Sequence, residues 1–143
     1  TQESSTSKDC KRITPIPRED SSTMDIFCLD DSYYYSSNKS RLYRLDSKLA
    51  EVNNFILDRS ISEVIVENTT SDKKNLLTVS TNSNSYYGPV ASTISMISAQ
   101  TGALIWSSPK LPGSIPPHSL YHYRDGDKSM LNFATQDAMF ITQ

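Results

Sequence analysis

The stretch that decides the fold is Ile97-Ser98-Ala99-Gln100-Thr101-Gly102-Ala103-Leu104-Ile105-Trp106. Apolar and polar residues alternate on the approach to Ser98, as in a half-buried β-strand. Gly102 can adopt the positive φ of a tight turn, and the hydroxyl of Thr101 can hydrogen-bond the turn backbone. The chain would then return as a second strand that delivers Trp106 into the inter-strand core. These residues predict a β-hairpin.

The same kind of pattern covers most of the chain. Short runs rich in β-branched and aromatic residues are separated by Ser, Asn, Asp and Gly clusters, which predicts antiparallel strands and turns. A helix competes at residues 48–56, where Leu49, Val52 and Ile56 have helical spacing, but Asn53-Asn54 weakens it. The predicted strands are residues 24–29, 33–36, 41–45, 52–57, 61–67, 76–81, 92–97, 103–107, 119–124, 129–134 and 138–142.

A fainter copy of the hairpin lies at residues 42–52, which echo residues 96–104 with an offset near 52. The motif at residues 97–106 resembles the repeat of quinoprotein-like β-propellers, in which a strand ends in Asp, a turn carries Thr-Gly, and a Trp follows four positions after the Gly. Ser98 stands in the Asp position here, so one turn-locking carboxylate is missing. The resemblance implies blade-like hairpins and says nothing of a quinone site.

Four blades of four strands would need more strands than the eleven predicted. We therefore expect an all-β, antiparallel fold, either a partial or degenerate β-propeller-like arrangement or a small β-sandwich. The length of 143 residues favours one domain. Residues 23–143 are expected to form it, and residues 1–22, with Pro15 and Pro17, to form an extended N-terminal arm.

Cys10 and Cys28 are the two cysteines of the chain. A pair near the N-terminus, with too few histidines for a convincing zinc site, suits a disulfide that tethers the arm in an oxidising compartment. Two reduced, buried thiols in a cytosolic protein are the alternative. The polar start at residues 1–8 also fits removal of a signal peptide. We expect a periplasmic or secreted protein.

Charge and hydropathy argue against a nucleic-acid partner and against a membrane-spanning helix. Fourteen basic and sixteen acidic residues are scattered without long runs, so there is no basic stripe to neutralise a phosphate backbone. No stretch approaches the roughly 18 consecutive apolar residues of a membrane-spanning helix. We expect neither a nucleic-acid partner nor a membrane span.

Candidate catalytic and metal-binding residues are few. His118 and His122 would lie about 13 Å apart on a strand, too far to share a metal ion. Asp125-Gly126-Asp127 imitates the start of a calcium loop, but the sixth-position Gly and the final Glu are absent, so a hairpin turn is the expected structure. The 24 serines include no Gly-x-Ser-x-Gly elbow, and four glycines supply no phosphate loop. We expect no enzyme activity, no metal and no cofactor.

The loops carry the predicted binding residues. Adjacent tyrosines among small polar residues are typical of adaptable contact loops, since Tyr offers a large contact area at low entropic cost. An alternative is that one of these tyrosines caps the sheet edge. Tyr33-Tyr34-Tyr35 and Tyr121 with Tyr123 are secondary candidates, of which at least one each should pack inward. The first-choice contact loop comprises Asn82, Ser83, Asn84, Ser85, Tyr86, Tyr87 and Gly88.

In overall character the sequence is similar to bacterial periplasmic immunity proteins, small β-rich inhibitors of cell-wall-degrading toxins delivered by type VI secretion. The likeness rests on size, cysteines and architecture. It implies a protein partner, a secreted hydrolase toxin, whose active-site cleft the contact loop would enter. The alternative is an accessory or scaffold domain of a propeller-type envelope assembly protein, which should leave an exposed apolar edge. An enzyme would instead need a cleft lined by His118, His122 and Asp125.

Overall fold

The computed structural model describes residues 9–18, 23–30, 39–57, 59–67, 75–82, 91–116, 118–135 and 139–142. Regular structure in these ranges consists of β-strands, and they contain no helix of the length and hydropathy that crossing a bilayer requires. The strand pairs are antiparallel. The prediction of an all-β, antiparallel protein is confirmed, and residues 48–56 form a turn and a strand where a helix had competed.

Most strand positions agree with the sequence pattern. Two strands were not predicted, β1 and the two-residue β9, and predicted residues 33–36 lie outside the described ranges. The strands are β1 Arg12–Pro17, β2 Met24–Asp30, β3 Ser40–Leu45, β4 Glu51–Leu57, β5 Ile61–Val66, β6 Asn75–Asn82, β7 Ala91–Ser98, β8 Leu104–Ser107, β9 Leu111–Pro112, β10 Tyr121–Asp125, β11 Lys128–Ala134 and β12 Met139–Thr142.

The chain divides into two compact units, residues 1–61 and residues 62–143. In the first unit, β1 to β4 form a four-stranded sheet in sequence order. Pro15 and Pro17 are tolerated in β1 because β1 is an edge strand that, among the described strands, pairs only with β2. Proline lacks a backbone N–H, and on an edge strand this leaves no second neighbouring strand without a hydrogen-bond donor. β1 lies within the expected N-terminal arm; the domain limits expected from the sequence stay a prediction.

The predicted disulfide between Cys10 and Cys28 is present. Cys28 is completely buried in a cluster with Tyr43 and Leu45, and Cys10 packs against the same cluster. The bridge therefore fixes the start of the described chain to the middle of β2.

The second unit holds two sheets. One has the order β5-β6-β7-β8 with β9 paired to β7, and the other has the order β10-β11-β12. Side chains from both sheets and from the connection between them form one hydrophobic cluster: Leu77, Val79, Ile94, Ile115, Leu120, Leu131 and Phe133.

The two units contain matching hairpins. In β3–β4, the register shifts between Arg44 and Leu45, and Leu45 pairs with Glu51. In β7–β8, the register shifts between Met96 and Ile97, 52 positions later, and Ile97 pairs with Leu104. A β-bulge thus interrupts both ladders at equivalent places, which re-aims the returning strand in the same way.

A buried serine recurs with the hairpin. Ser40 and Ser92 begin or nearly begin the third strand of each four-stranded run, and both are fully buried. The Ser40 hydroxyl accepts a hydrogen bond from the backbone N–H of Ile61 at 2.9 Å, and the Ser92 hydroxyl donates to the carbonyl of Gly113 at 2.8 Å. Each bond spans 21 residues, so both units close onto the segment that follows the fourth strand.

Candidate protein-binding site

The contact loop predicted from the sequence begins at the end of β6. Asn82 is the last residue of β6, and residues 83–88 lie outside the described residues. The assignment of Asn82 to Gly88 as partner-binding residues stays a prediction.

The turn of the β7–β8 hairpin is built around the Ser98 side chain. Its hydroxyl accepts hydrogen bonds from the backbone N–H groups of Gln100 at 3.2 Å and Thr101 at 3.3 Å. Gly102 has a φ of 73°, which L side chains adopt only with strain. The Thr101 hydroxyl accepts from the N–H of Ala103 at 3.3 Å. Gly102 and Thr101 have the turn functions predicted for them.

The equivalent turn in β3–β4 has a carboxylate in place of the hydroxyl. Asp46 Oδ1 accepts from the backbone N–H groups of Lys48 and Ala50, both at 2.9 Å. Leu49, with a φ of 62°, occupies the left-handed position that Gly102 fills in the second hairpin. The shorter Ser98 side chain reaches N–H groups two and three positions on, whereas Asp46 reaches those two and four positions on. The Thr101 hydroxyl bonds the N–H of Ala103, which corresponds to Ala50.

Exchanging the two turn residues should change stability in opposite directions. We expect Ser98→Asp to raise the free energy of unfolding by about 0.5–1 kcal/mol, because charge-assisted bonds to N–H groups are stronger than neutral ones. Asp46→Ser should lower it by a similar amount. Urea unfolding followed by circular dichroism measures both. Gln100→Glu adds the same charge without replacing the acceptor and is the control; a Ser98→Asp variant no more stable than this control would contradict the equivalence.

Trp106 does not enter the core, so that expectation is wrong. Its exposed fraction is 46%, and its neighbours Leu104 and Ile105 are 60% and 54% exposed. The reason is the position of β8 at the end of the sheet order, where no described strand lies beyond it. Three consecutive large apolar residues therefore form an exposed edge, which we call the β8 edge and define as Leu104, Ile105 and Trp106. The sequence signal for the β8 edge was three successive apolar residues with no polar residue between them.

The β4 edge in the first unit is equivalent in position but different in chemistry. β4 also ends its sheet order. By the matching bulges, Glu51 corresponds to Leu104 and Asn53 to Trp106. Asn54 Nδ2 donates to Glu51 Oε1 at 2.7 Å along this edge. Polar and charged side chains on an edge strand discourage pairing with other chains, so Glu51 and Asn53 give β4 a protection that β8 lacks at the two equivalent positions.

The histidines do not form a site with each other. His118 precedes β10, is exposed, and its backbone N–H donates to Glu63 Oε2 at 3.2 Å. His122 lies in β10 and is buried, with Nε2 at 2.6 Å from the Ser129 hydroxyl and 3.9 Å from Glu67 Oε1. A catalytic triad needs the acid at the opposite ring nitrogen from the serine, and here both approach Nε2. The arrangement of Glu67, His122 and Ser129 is therefore not that of a catalytic triad.

Burial lowers the pKa of His122, with Arg124 adding to the effect and Glu67 opposing it. The neutral ring is therefore favoured in the folded chain, and the unfolded chain binds more protons. This contribution to stability is complete above the unfolded value of about 6.5 and is lost as pH falls through the folded pKa.

We accordingly expect the His122→Gln variant to lose less stability than the parent protein when pH falls from 7 to 5. The measurement is the urea midpoint at each pH. His118→Gln is the matched control and should follow the parent. Equal slopes for all three proteins would show that His122 does not contribute to the pH dependence.

Asp125-Gly126-Asp127 is a hairpin turn, as expected. Asp125 pairs with Lys128, so Gly126 and Asp127 form a two-residue connection, and the φ of 60° at Gly126 suits the first position of a type II′ turn. In the described part of the chain, no three His, Cys, Asp or Glu residues are grouped so that they could hold a metal ion.

Tyr121 and Tyr123 lie on one face of β10. Their ring centroids are 5.8 Å apart with an interplanar angle of 23°; Tyr121 is exposed and Tyr123 half-buried. This pair is a second place where large aromatic side chains reach the surface.

Comparison with protein-family models, with curated proteins and with solved structures gave no match. The candidate site therefore depends on this chain's own geometry.

Proposed function

We propose that this chain is a non-enzymatic protein-binding module of the periplasm or extracellular space. The observation that carries the proposal is the β8 edge, three large apolar side chains that are each about half exposed. Exposed apolar groups of this kind mark interaction surfaces in folded proteins. The Cys10–Cys28 disulfide supports an oxidising compartment, because cytosolic thiols are kept reduced.

In its most specific form, the proposed function is that of an immunity or inhibitor protein. The partner is a cell-wall-degrading hydrolase, and inhibition is steric: the contact loop, Asn82 to Gly88, enters the active-site cleft and excludes substrate. The approach of both Ser129 and Glu67 to the same ring nitrogen of His122, unlike the arrangement of a catalytic triad, supports a binding function over a catalytic one.

The inhibitor proposal predicts that a gene beside the one for this chain encodes a peptidoglycan hydrolase, and the test uses that hydrolase. We expect the purified chain to abolish peptidoglycan hydrolysis at a one-to-one molar ratio, and Tyr86→Ala with Tyr87→Ala to weaken inhibition. A neighbouring hydrolase that remains fully active in excess chain would refute the inhibitor proposal. Retained inhibition by the double variant would refute the choice of loop.

A scaffold or accessory domain of a propeller-type envelope assembly protein is the second candidate. It is favoured by the matching hairpins with their shared bulge, which are the kind of repetition that blade-like sheets show. The apolar β8 edge also fits a surface that a larger assembly would cover. Sedimentation velocity separates the candidates: a scaffold domain should self-associate at micromolar concentration, whereas an inhibitor should remain monomeric until its hydrolase is added.

A further inference from the structure

We propose that the β8 edge binds an extended apolar segment of a partner protein, which adds to the sheet as a further strand alongside β8. The proposal rests on the protein-binding function above and names the chemistry of the partner at this surface. In this mode of recognition, backbone hydrogen bonds supply affinity and alternating side chains supply specificity.

The first step is that the exposed apolar groups lie on both faces of the sheet. Leu104 pairs with Ile97, and Trp106 pairs with Met96. Directly opposed residues share a face, and successive residues of a strand point to opposite faces. Leu104 and Trp106 therefore lie on opposite faces. A body docked against one face would cover only one of them, whereas an added strand lies in the plane of the sheet and can contact both.

The second step is that the fold does not require this apolar edge. The β4 edge has the same bulge, the same place in its sheet order and a polar residue at two of the three equivalent positions, Glu51 and Asn53, with the apolar Val52 between them. The first unit therefore forms the same kind of hairpin with polar residues at these two positions. The replacement of both positions by Leu104 and Trp106 removes the features that keep edge strands from pairing with other chains.

The third step concerns charge. Residues 104–109 contain no charged side chain, and Lys110 follows them at an exposed position. The complementary segment is therefore apolar over about four residues, with an acidic residue at the end that meets Lys110.

The area of the β8 edge favours such a segment over a second copy of this chain. About half of three large side chains amounts to on the order of 300 Å² of apolar surface. A stable interface between folded proteins buries about 800 Å² on each partner. A single extended segment of a partner needs no more than one strand length, which matches the four residues of β8.

The probe for the test is a labelled peptide of eight residues in which four consecutive valines, flanked by threonines, present apolar side chains on both faces, with an aspartate at one end. We expect it to bind the full chain with a Kd on the order of 100 µM or tighter by fluorescence anisotropy. Trp106 is the only tryptophan, so its emission reports coverage of the edge directly. Binding should shift that emission to the blue and protect it from acrylamide quenching.

The deciding variant is Leu104→Glu, which gives β8 the charge that β4 has at the same place. We expect binding at least about tenfold weaker. Val52→Glu, at a position in β4 that is 50% exposed, adds the same charge to the other edge and should bind like the parent. Because both positions are exposed, both variants should keep the parent's circular dichroism; Trp106→Asn is a second edge variant with the same expected loss.

Three results with the peptide or with the chain alone would overturn the inference: no peptide binding, equal binding by Leu104→Glu and Val52→Glu, or a concentration-dependent dimer of the parent that Leu104→Glu dissolves. The last would assign the edge to a second copy. Inhibition of the hydrolase by Leu104→Glu at full strength would refute the β8 edge while leaving the proposed function intact. Peptide binding at the β8 edge without inhibition of the hydrolase would refute the inhibitor function and leave the proposed strand addition intact.

Discussion

Asp25→Asn should lower the free energy of unfolding by about 3–4 kcal/mol, the largest effect of any single substitution that we expect in this chain. Asp25 is 1% exposed in β2. Its Oδ1 accepts from Arg18 Nε at 2.7 Å and its Oδ2 from Arg44 Nε at 2.8 Å. The Arg44 guanidinium also lies over the Phe27 ring, 5.7 Å from its centroid. The carboxylate thus holds two cations at one buried point.

The physical reason for the large effect is what remains after the charge is removed. Arg44, whose side chain is only 20% exposed, would keep its desolvated cation without the carboxylate that compensates it. An Asn side chain also presents one acceptor oxygen where two guanidinium groups require two.

Arg18→Gln is the control for the Asp25 prediction. Arg18 is 41% exposed, so its ion pair is screened by solvent and its loss should lower the free energy of unfolding by less than about 1 kcal/mol. Urea unfolding followed by far-ultraviolet circular dichroism measures both variants. Equal losses for Asp25→Asn and Arg18→Gln would contradict the central position of Asp25.

The sequence was sufficient to predict the local elements. The alternation near Ile97, the turn at Thr101-Gly102 and most strand positions follow from rules that depend on neighbouring residues alone. The disulfide was predictable because the chain contains only two cysteines. β1 escaped prediction because Pro15 and Pro17 suggest an irregular arm, and only the sheet order reveals that they lie on an edge strand.

Whether the side chains of a strand are buried could not be predicted, because burial depends on which elements pack against that strand. Trp106 was expected in the core because the returning strand of the hairpin would carry it there, but β8 is exposed because it is the last strand in the sheet order. The ion pairs of Asp25 could not be predicted from the sequence either. An acid within the apolar run of β2 and an arginine within that of β3 were the available signals, but nothing in the sequence indicates that Asp25 and Arg44 meet.

The same limit applies to the candidate site. The contrast between Leu104 with Trp106 and Glu51 with Asn53 is present in the sequence, yet it has no meaning until the two bulges show which positions correspond. The equivalence makes one edge the internal control for the other.

Removal of the Cys10–Cys28 disulfide should lower the free energy of unfolding by about 3 kcal/mol. The bridge closes a loop between residues separated by 18 positions, and opening it restores the entropy of that loop to the unfolded chain. Cys28 is also completely buried beside Tyr43 and Leu45, so the replacement must be apolar to isolate the effect of the bond. Cys10→Ala with Cys28→Ala is the appropriate variant, and urea unfolding under oxidising conditions is the measurement.

Reducing agent supplies the control, because it breaks the same bond without changing the sequence. The parent protein in dithiothreitol should lose stability to about the same extent as the double variant in oxidising buffer, and the double variant should not respond to dithiothreitol. A parent protein that keeps its full stability when reduced would show that β1 is held by its ladder to β2, from Arg12 opposite Leu29 to Pro17 opposite Met24, and not by the disulfide. Such a result would also remove the bond as support for an oxidising compartment.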